Sequence, residues 1–89
     1  MEDSINLKIK RIHKLPNNGA IKAFVDLCVN DAFLIKGLRI VDGPRGLFVT
    51  MPQDKGKNDR WYNTVDCLSP NIRSVVTDFV LAAYKQDNN

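Results

Sequence analysis

The sequence predicts a small α+β domain, in which an antiparallel β-sheet meander of four to five strands precedes one C-terminal amphipathic helix. Apolar residues alternate with polar ones in the first half of the chain, and turn-forming residues separate the alternating runs. A helical apolar stripe occupies the last third. With 89 residues, the chain suits a single domain over residues 1–89. Because so short a chain builds a modest core, we also expect a dimer.

Two alternating runs predict the first two strands. Residues 5–12 alternate apolar and polar side chains, and residues 21–29 repeat that pattern more clearly. Between them, Pro-Asn-Asn-Gly at 16–19 is typical of a turn, because Asn-Gly readily takes positive φ.

Two further strands follow after short turns. Asn30 and Asp31 predict a tight turn into a third strand over residues 32–41, where Gly37 indicates a bulge or bend. A dense turn cluster at 42–46 then leads into a fourth strand over residues 47–51.

The segment from 53 to 60 is polar and charged, which predicts either a long exposed loop or a hairpin tip leading into residues 61–65. Trp61 and Tyr62 would fall on opposite faces of a strand, so we expect at least one of them to pack in the core. Beside Arg60, the pair could also form a stacking platform for unpaired bases.

The last element is a helix that begins at Pro70. Ser69 offers an N-cap hydroxyl, and proline at the first helical position has no N–H to leave unsatisfied. Residues at helical spacing predict one buried face, and residues 86–89 are expected to fray. That face consists of Ile72, Val75, Val76, Phe79, Val80, Ala83 and Tyr84.

The sequence offers few residues in catalytic arrangements, so we expect a protein that is not an enzyme and has no small-molecule substrate. Nucleotide-binding, serine-hydrolase and zinc-protease motifs are absent from the sequence. Two cysteines and one histidine are too few for a zinc site without carboxylates, so we expect neither a metal nor a cofactor. A nucleophilic pair would need Cys67 and His13, but Asp66 would raise the pKa of the neighbouring thiol and oppose its activation.

The apolar runs are far shorter than the roughly 20 residues that span a bilayer. The acidic start does not resemble a signal peptide. We therefore expect a cytoplasmic protein without a membrane partner.

Positive charge is unevenly distributed. Thirteen Lys and Arg residues against ten Asp and Glu give a net charge of +3, but residues 1–60 carry +4 and residues 61–89 carry −1. Lys8, Lys10, Arg11 and Lys14 form one cluster, and the polar segment from 53 to 60 carries three more cations. Such residues neutralise phosphates in nucleic-acid interfaces. On the charges alone, a solvated strand face that discourages edge aggregation is the favoured interpretation.

The run at residues 38–52, LRIVDGPRGLFVTMP, closely resembles the central signature of the bacterial stage V sporulation protein G, or septation-regulator, family. That signature reads L/I-R-V-I-D/E-G-x-x-G-L-F-V-A-M-P. The resemblance continues without gaps from Ile21 to Tyr84, and Lys8, Lys10 and Arg11 match basic family positions. It implies a small homodimer with an antiparallel sheet and a C-terminal helix. It also implies sequence-dependent DNA binding, with RNA binding in some members, in the regulation of gene expression, cell division and development.

The segment after the Met-Pro pair departs from the family pattern. The family reads Ser-Lys-Arg-Thr-Pro-Asp-Gly-Glu-Phe-Arg-Asp there, whereas this chain reads QDKGKNDRWYN over residues 53–63. Lys55 keeps one family cation in register and Tyr62 replaces an arginine, while Asp66 and Cys67 replace a His-Pro pair. Arg73 matches. The departure bears on sequence preference, although other cations nearby could restore the charge.

The function that we predict is a dimeric, non-enzymatic regulator that binds DNA or RNA. The predicted phosphate contacts are Lys55, Lys57, Arg60 and Arg73, with Lys8, Lys10 and Arg11 as a flanking basic strip. The alternative is a dimeric protein–protein interaction scaffold whose cations only keep it soluble.

Overall fold

Four strands form one antiparallel sheet in the order in which they occur along the chain. In the computed structural model, which describes residues 5–16 and 19–86, these strands are β1 (Leu7–Lys14), β2 (Ile21–Val29), β3 (Phe33–Gly43) and β4 (Gly46–Thr50). The predicted meander is confirmed, and strand ends differ from the predicted ones by at most two residues. The predicted turn at 16–19 lies partly outside the described residues, as does most of the predicted frayed segment 86–89.

The turn between β2 and β3 is as tight as the sequence predicts. Asn30 and Asp31 have φ of 54° and 52°, and the Ala32 N–H donates to the Val29 carbonyl at 3.0 Å. Two successive positive φ values match the hairpin turn whose twist suits that of the strands. The Asn30 side-chain oxygen also accepts from the Asn6 N–H at 2.7 Å, which fixes the start of β1 against this turn.

Gly37 forms the predicted bulge in β3. Val25 pairs with Leu38 and Asp26 pairs with Lys36, so Gly37 is the extra residue, with φ of 92°. Its N–H donates to the Asp26 carboxylate at 3.3 Å. The bulge keeps Leu38 on the buried face although the strand has gained one residue.

The helix α1 (Pro70–Gln86) begins where the sequence predicts. The Ile72 N–H donates to the Ser69 hydroxyl at 3.2 Å, which is the N-cap interaction. The helix packs on one face of the sheet and contacts both of its edges, β1 and β4.

The core lies between that sheet face and α1. Its buried members are Ala23, Val25, Leu27, Leu38, Ile40, Val76 and Val80. Most of the predicted helical face packs there, but Val75 is 44% exposed because it lies at the margin of the stripe. Among the described residues, no helix combines the length and the apolar character needed to cross a membrane.

The segment after β4 forms a hairpin of its own rather than a fifth strand of the sheet. Strands β5 (Gln53–Lys55) and β6 (Trp61–Asn63) pair with each other, which settles the choice between loop and hairpin. Trp61 is 56% exposed and Tyr62 is 51% exposed, so the expectation that one of them packs in the core is wrong. Within the described part of the chain, no helix packs on this two-stranded ribbon, and both rings therefore stay largely at the surface.

Candidate nucleic-acid interface

The face of the four-stranded sheet opposite α1, here called the open face, is not covered by the helix. Its side chains alternate with those of the core along each strand. Register partners place one row of four residues directly across the sheet: His13, Phe24, Arg39 and Thr50. The next row contains Arg11, Asp26 and Lys36.

The open face is basic. Lys8, Arg11, Lys36 and Arg39 lie on it with one carboxylate of its own, Asp26. That carboxylate accepts a hydrogen bond from the Gly37 N–H of the bulge. A surface with four cations and one acid attracts a polyanion, and the attraction weakens as salt rises.

Among the described residues, Lys8 is the only cation of the open face that forms an ion pair, and it lies at the rim of that face. Its Nζ lies 2.9 Å from the Asp31 carboxylate, and both side chains are about three-fifths exposed. The hydrogen bond to Asp31, and then the negative charge of that carboxylate, raise the pKa of Lys8. The pair therefore neutralises the end of the basic strip that is closest to the β2–β3 turn.

Arg39 contacts two aromatic rings on the open face. Its guanidinium carbon lies 5.8 Å from the centre of the Phe24 ring and 5.3 Å from that of Trp61. Both distances are within cation–π range. Since Trp61 belongs to β6, this contact brings the second hairpin against the open face of the sheet.

The β5–β6 hairpin presents three predicted phosphate contacts, Lys55, Lys57 and Arg60, which are all exposed. The Gly56 N–H donates to the Arg60 carbonyl at 2.8 Å, which closes the hairpin tip. Asp59, with φ of 62°, lies 3.7 Å from Lys55 and offsets part of that lysine's charge. The three cations therefore protrude from one short turn whose backbone is hydrogen-bonded.

Arg73 is near the base of the same hairpin. Its guanidinium donates to the Cys67 carbonyl at 3.3 Å, and it borders a groove with Gln53 and Asn63 from the two hairpin strands. The structure thus brings Arg73 close to the hairpin, as a common binding surface requires.

The flanking basic strip lies farther from the hairpin than Arg73 does. Lys8, Lys10 and Arg11 lie on β1, at the edge of the sheet opposite β4. Three strand spacings of about 4.8 Å put them roughly 14 Å from that edge. Lys10 is the extra residue of a bulge between Ile9 and Arg11, so it does not share the register of its neighbours.

Sequence reasoning missed Lys36 and Arg39 as members of this surface. The available signal was their position between buried neighbours: Arg39 lies between Leu38 and Ile40, which are both fully buried. A charged residue at the alternate position must then point to the other face. The ring of Trp61 over Arg39 could not be found in this way, because it joins two separate sheets.

Cys67 and His13 do not come together. His13 lies on the open face, whereas Cys67 lines a small apolar cavity on the core side with Leu27 and Leu38. The Cys67 thiol donates to the Ser69 carbonyl at 3.4 Å. Over the part of the chain that the structure describes, no cluster of three His, Cys, Asp or Glu residues could hold a metal ion.

Known proteins resemble this chain along most of its length. The SpoVG family model matches residues 4–86. A SpoVG protein of Archaeoglobus fulgidus, which its name assigns to septation, is 34% identical over 76 residues, or 85% of this chain and 89% of its own. Namesakes from Desulforudis audaxviator and Bdellovibrio bacteriovorus are 33% and 27% identical, over 84% and 91% of this chain and 85% and 76% of theirs.

Proposed function

The chain belongs to the SpoVG family, and from that membership we propose a cytoplasmic, non-enzymatic, nucleic-acid-binding regulator that acts in septation or sporulation. The septation names of its relatives support the cellular role. The molecular role needs support from the residues of this chain.

The observation that carries the molecular role is the β5–β6 hairpin. It exposes Lys55, Lys57 and Arg60 on one turn, and Arg73 lies at its base. Exposed cations on a hydrogen-bonded turn can contact several phosphates of one strand with little loss of backbone freedom. Although residues 53–63 depart from the family pattern, the hairpin that they form still offers an ordered positive surface.

A homodimer would double this surface. In a dimer, the basic surface of each hairpin would be extended by the flanking basic strip, which consists of Lys8, Lys10 and Arg11. One chain alone forms only part of that surface. Sedimentation at micromolar concentration should give a particle of about twice the 10.1 kDa of one chain. A particle of single-chain mass would contradict the dimer.

The test of nucleic-acid binding is a salt titration. The double variant Lys55→Ala with Lys57→Ala should weaken binding to all DNA and RNA sequences. It should also flatten the plot of log affinity against log salt by about one for each phosphate that the variant no longer neutralises. The matched control, Arg45→Ala with Lys85→Ala, removes two exposed cations elsewhere and should leave the slope closer to that of the parent. Equal slopes for the parent and the hairpin variant would remove the hairpin from the interface.

The alternative function is a dimeric scaffold that binds a protein partner. Large apolar side chains favour it, since Leu68 is 93% exposed and Phe33 is 72% exposed. Failure to bind any DNA or RNA at low salt would support the scaffold over the regulator.

A further inference from the structure

Trp61 and Arg39 form a flat, charged surface element that phosphate binding alone does not explain. The indole is 56% exposed, yet its ring lies 5.3 Å from the guanidinium carbon of Arg39. An exposed aromatic ring held by a cation over a sheet is costly to keep uncovered, because its apolar area stays in water. Such a ring is suited to stacking with another flat group.

Two polar side-chain atoms in the row that contains Arg39 have no hydrogen-bond partner. Within the described residues, Arg39 Nε and Thr50 Oγ1 are buried and unpaired, and the two residues are direct register partners. Each unsatisfied buried group costs about 1–3 kcal/mol. A ligand that displaced the groups covering these two atoms and supplied an acceptor oxygen would satisfy both, since each can donate a hydrogen bond.

A third observation is the charge of the neighbouring row. Arg11 and Lys36 flank Asp26 in the row next to Arg39, so positive charge continues across the open face from the aromatic site. A ligand that suits all three features has a flat aromatic face, acceptor oxygens and a repeated negative charge. An unpaired stretch of nucleic acid combines them, whereas the bases of a duplex keep their faces stacked inside.

We propose that the open face binds single-stranded nucleic acid. One unpaired base stacks on Trp61, and an oxygen of the same strand accepts hydrogen bonds from Arg39 and Thr50. Phosphates of that strand then follow Lys36 and Arg11 across the sheet. The inference rests on the proposed nucleic-acid function and adds to it the class of ligand and the group that receives a base.

The chain contains one tryptophan, so its fluorescence reports this site directly. The probes are oligo-dT and oligo-rU of about 12 nucleotides, and a mixed-sequence duplex of the same length. Both single strands should quench Trp61 fluorescence and bind more tightly than the duplex. The ratio of the affinities for oligo-dT and oligo-rU identifies DNA or RNA as the preferred source of the unpaired base.

Variants separate the stacking site from the hairpin, and a labelled oligonucleotide measures their binding by anisotropy. Trp61→Ala should weaken single-strand binding roughly 5- to 150-fold, whereas Trp61→Phe should recover most of the loss because it keeps a ring. Arg39→Lys should bind more weakly than the parent since it keeps the charge but has no planar donor. Tyr62→Ala is the matched control, because Tyr62 is similarly exposed at the adjacent position of β6.

Three outcomes would overturn the inference. Parent-like binding by Trp61→Ala, with a flattened salt slope in the Lys55/Lys57 variant, would leave the proposed function intact and remove the stacking site. Absence of binding to every probe at low salt would remove both. Trp61 fluorescence that changes with protein concentration alone, in step with sedimentation, would assign the open face to a second copy of the chain.

Discussion

The two faces of the four-stranded sheet come from the same strands, but one is buried under α1 and the other is not covered by it. On the core face, Val25, Leu38 and Ile40 are fully buried under α1. On the open face, the residues beside them are Asp26, Arg39 and Val41, and the helix does not reach them. Alternation of side chains decides which residue goes where, and a shift of one residue would exchange the two faces.

This difference separates what stabilises the fold from what is available to a ligand. Core-face residues contribute through burial of apolar area, and replacing them costs stability. Open-face cations lie in or near water, where they contribute little to stability and much to the attraction of anions. Substitutions on the two faces should therefore have effects of different kinds.

Truncation on the core face should have the largest effect. Leu38 is fully buried, and Leu38→Ala should lower the free energy of unfolding by about 2–5 kcal/mol through reduced burial and a residual cavity. Urea denaturation measures it. The control is Leu34→Ala on the same strand, where 44% exposure predicts a loss below about 1 kcal/mol. Leu34 lies on the open face as the register partner of Cys28, so equal losses at the two positions would indicate that this face is buried in solution.

The bulge that keeps the two faces in phase should come next. Gly37 has φ of 92°, so Gly37→Ala should cost about 1–2 kcal/mol of unfolding free energy from backbone strain. Steric crowding does not add to it, because the nearest atom to a new Cβ is Pro52 Cβ at 4.0 Å. Gly56→Ala is the control: a Cβ there meets ordinary contacts of 3.4 Å or more, without positive φ. A neutral Gly37→Ala would mean that the bulge can move.

Removal of open-face charge should affect binding and leave stability nearly unchanged. Arg11→Ala with Lys36→Ala should shift the unfolding free energy by no more than about 0.5 kcal/mol per site. The same variant should reduce the salt dependence of single-strand binding, in proportion to the number of phosphates that it no longer neutralises. An unchanged salt slope would place the strand elsewhere, and a large loss of stability would make these cations structural.

The smallest effect is expected at the rim. Asp31→Asn keeps a residue that tolerates φ of 52° and removes the carboxylate that pairs with Lys8. Nucleic-acid affinity should rise slightly at low salt because Lys8 loses its neutralising partner. Because the pKa of Lys8 is raised in the folded state, the stability that the pair contributes is present at neutral pH and is lost as the pH rises through that pKa. A stability difference that persists above that pH would contradict the ion pair.

Local patterns in the sequence predict most of the sheet and the helix. The alternation over residues 21–29 gives β2 with its observed bounds, and the Ser69-Pro70 pair gives the helix start. Gly37 also predicts its own bulge. Each of these signals acts between residues that are close in sequence, so a pattern within a short window contains it.

The candidate site was less predictable because it depends on contacts between separate elements. Lys55, Lys57 and Arg60 are visible as a charged segment, but the contact of Trp61 with Arg39 joins residues 22 positions apart on two sheets. The error at Trp61 and Tyr62 has the same origin. Alternation assigns opposite faces to the two rings, but it does not reveal whether either face of β6 has a layer above it.

The contacts of α1 with β1 also determine the order in which parts of the fold can form during synthesis. The Lys14 ammonium on β1 lies 5.0 Å from the ring of Tyr84 near the end of the helix, so this contact of the first strand forms only after the helix has been made. During synthesis the sheet can pair as its strands emerge, but its apolar face stays uncovered until residues 70–86 have left the ribosome. The same long sequence separation slows folding by raising contact order. We therefore expect newly made chains to be most prone to aggregate between completion of β4 and arrival of the helix.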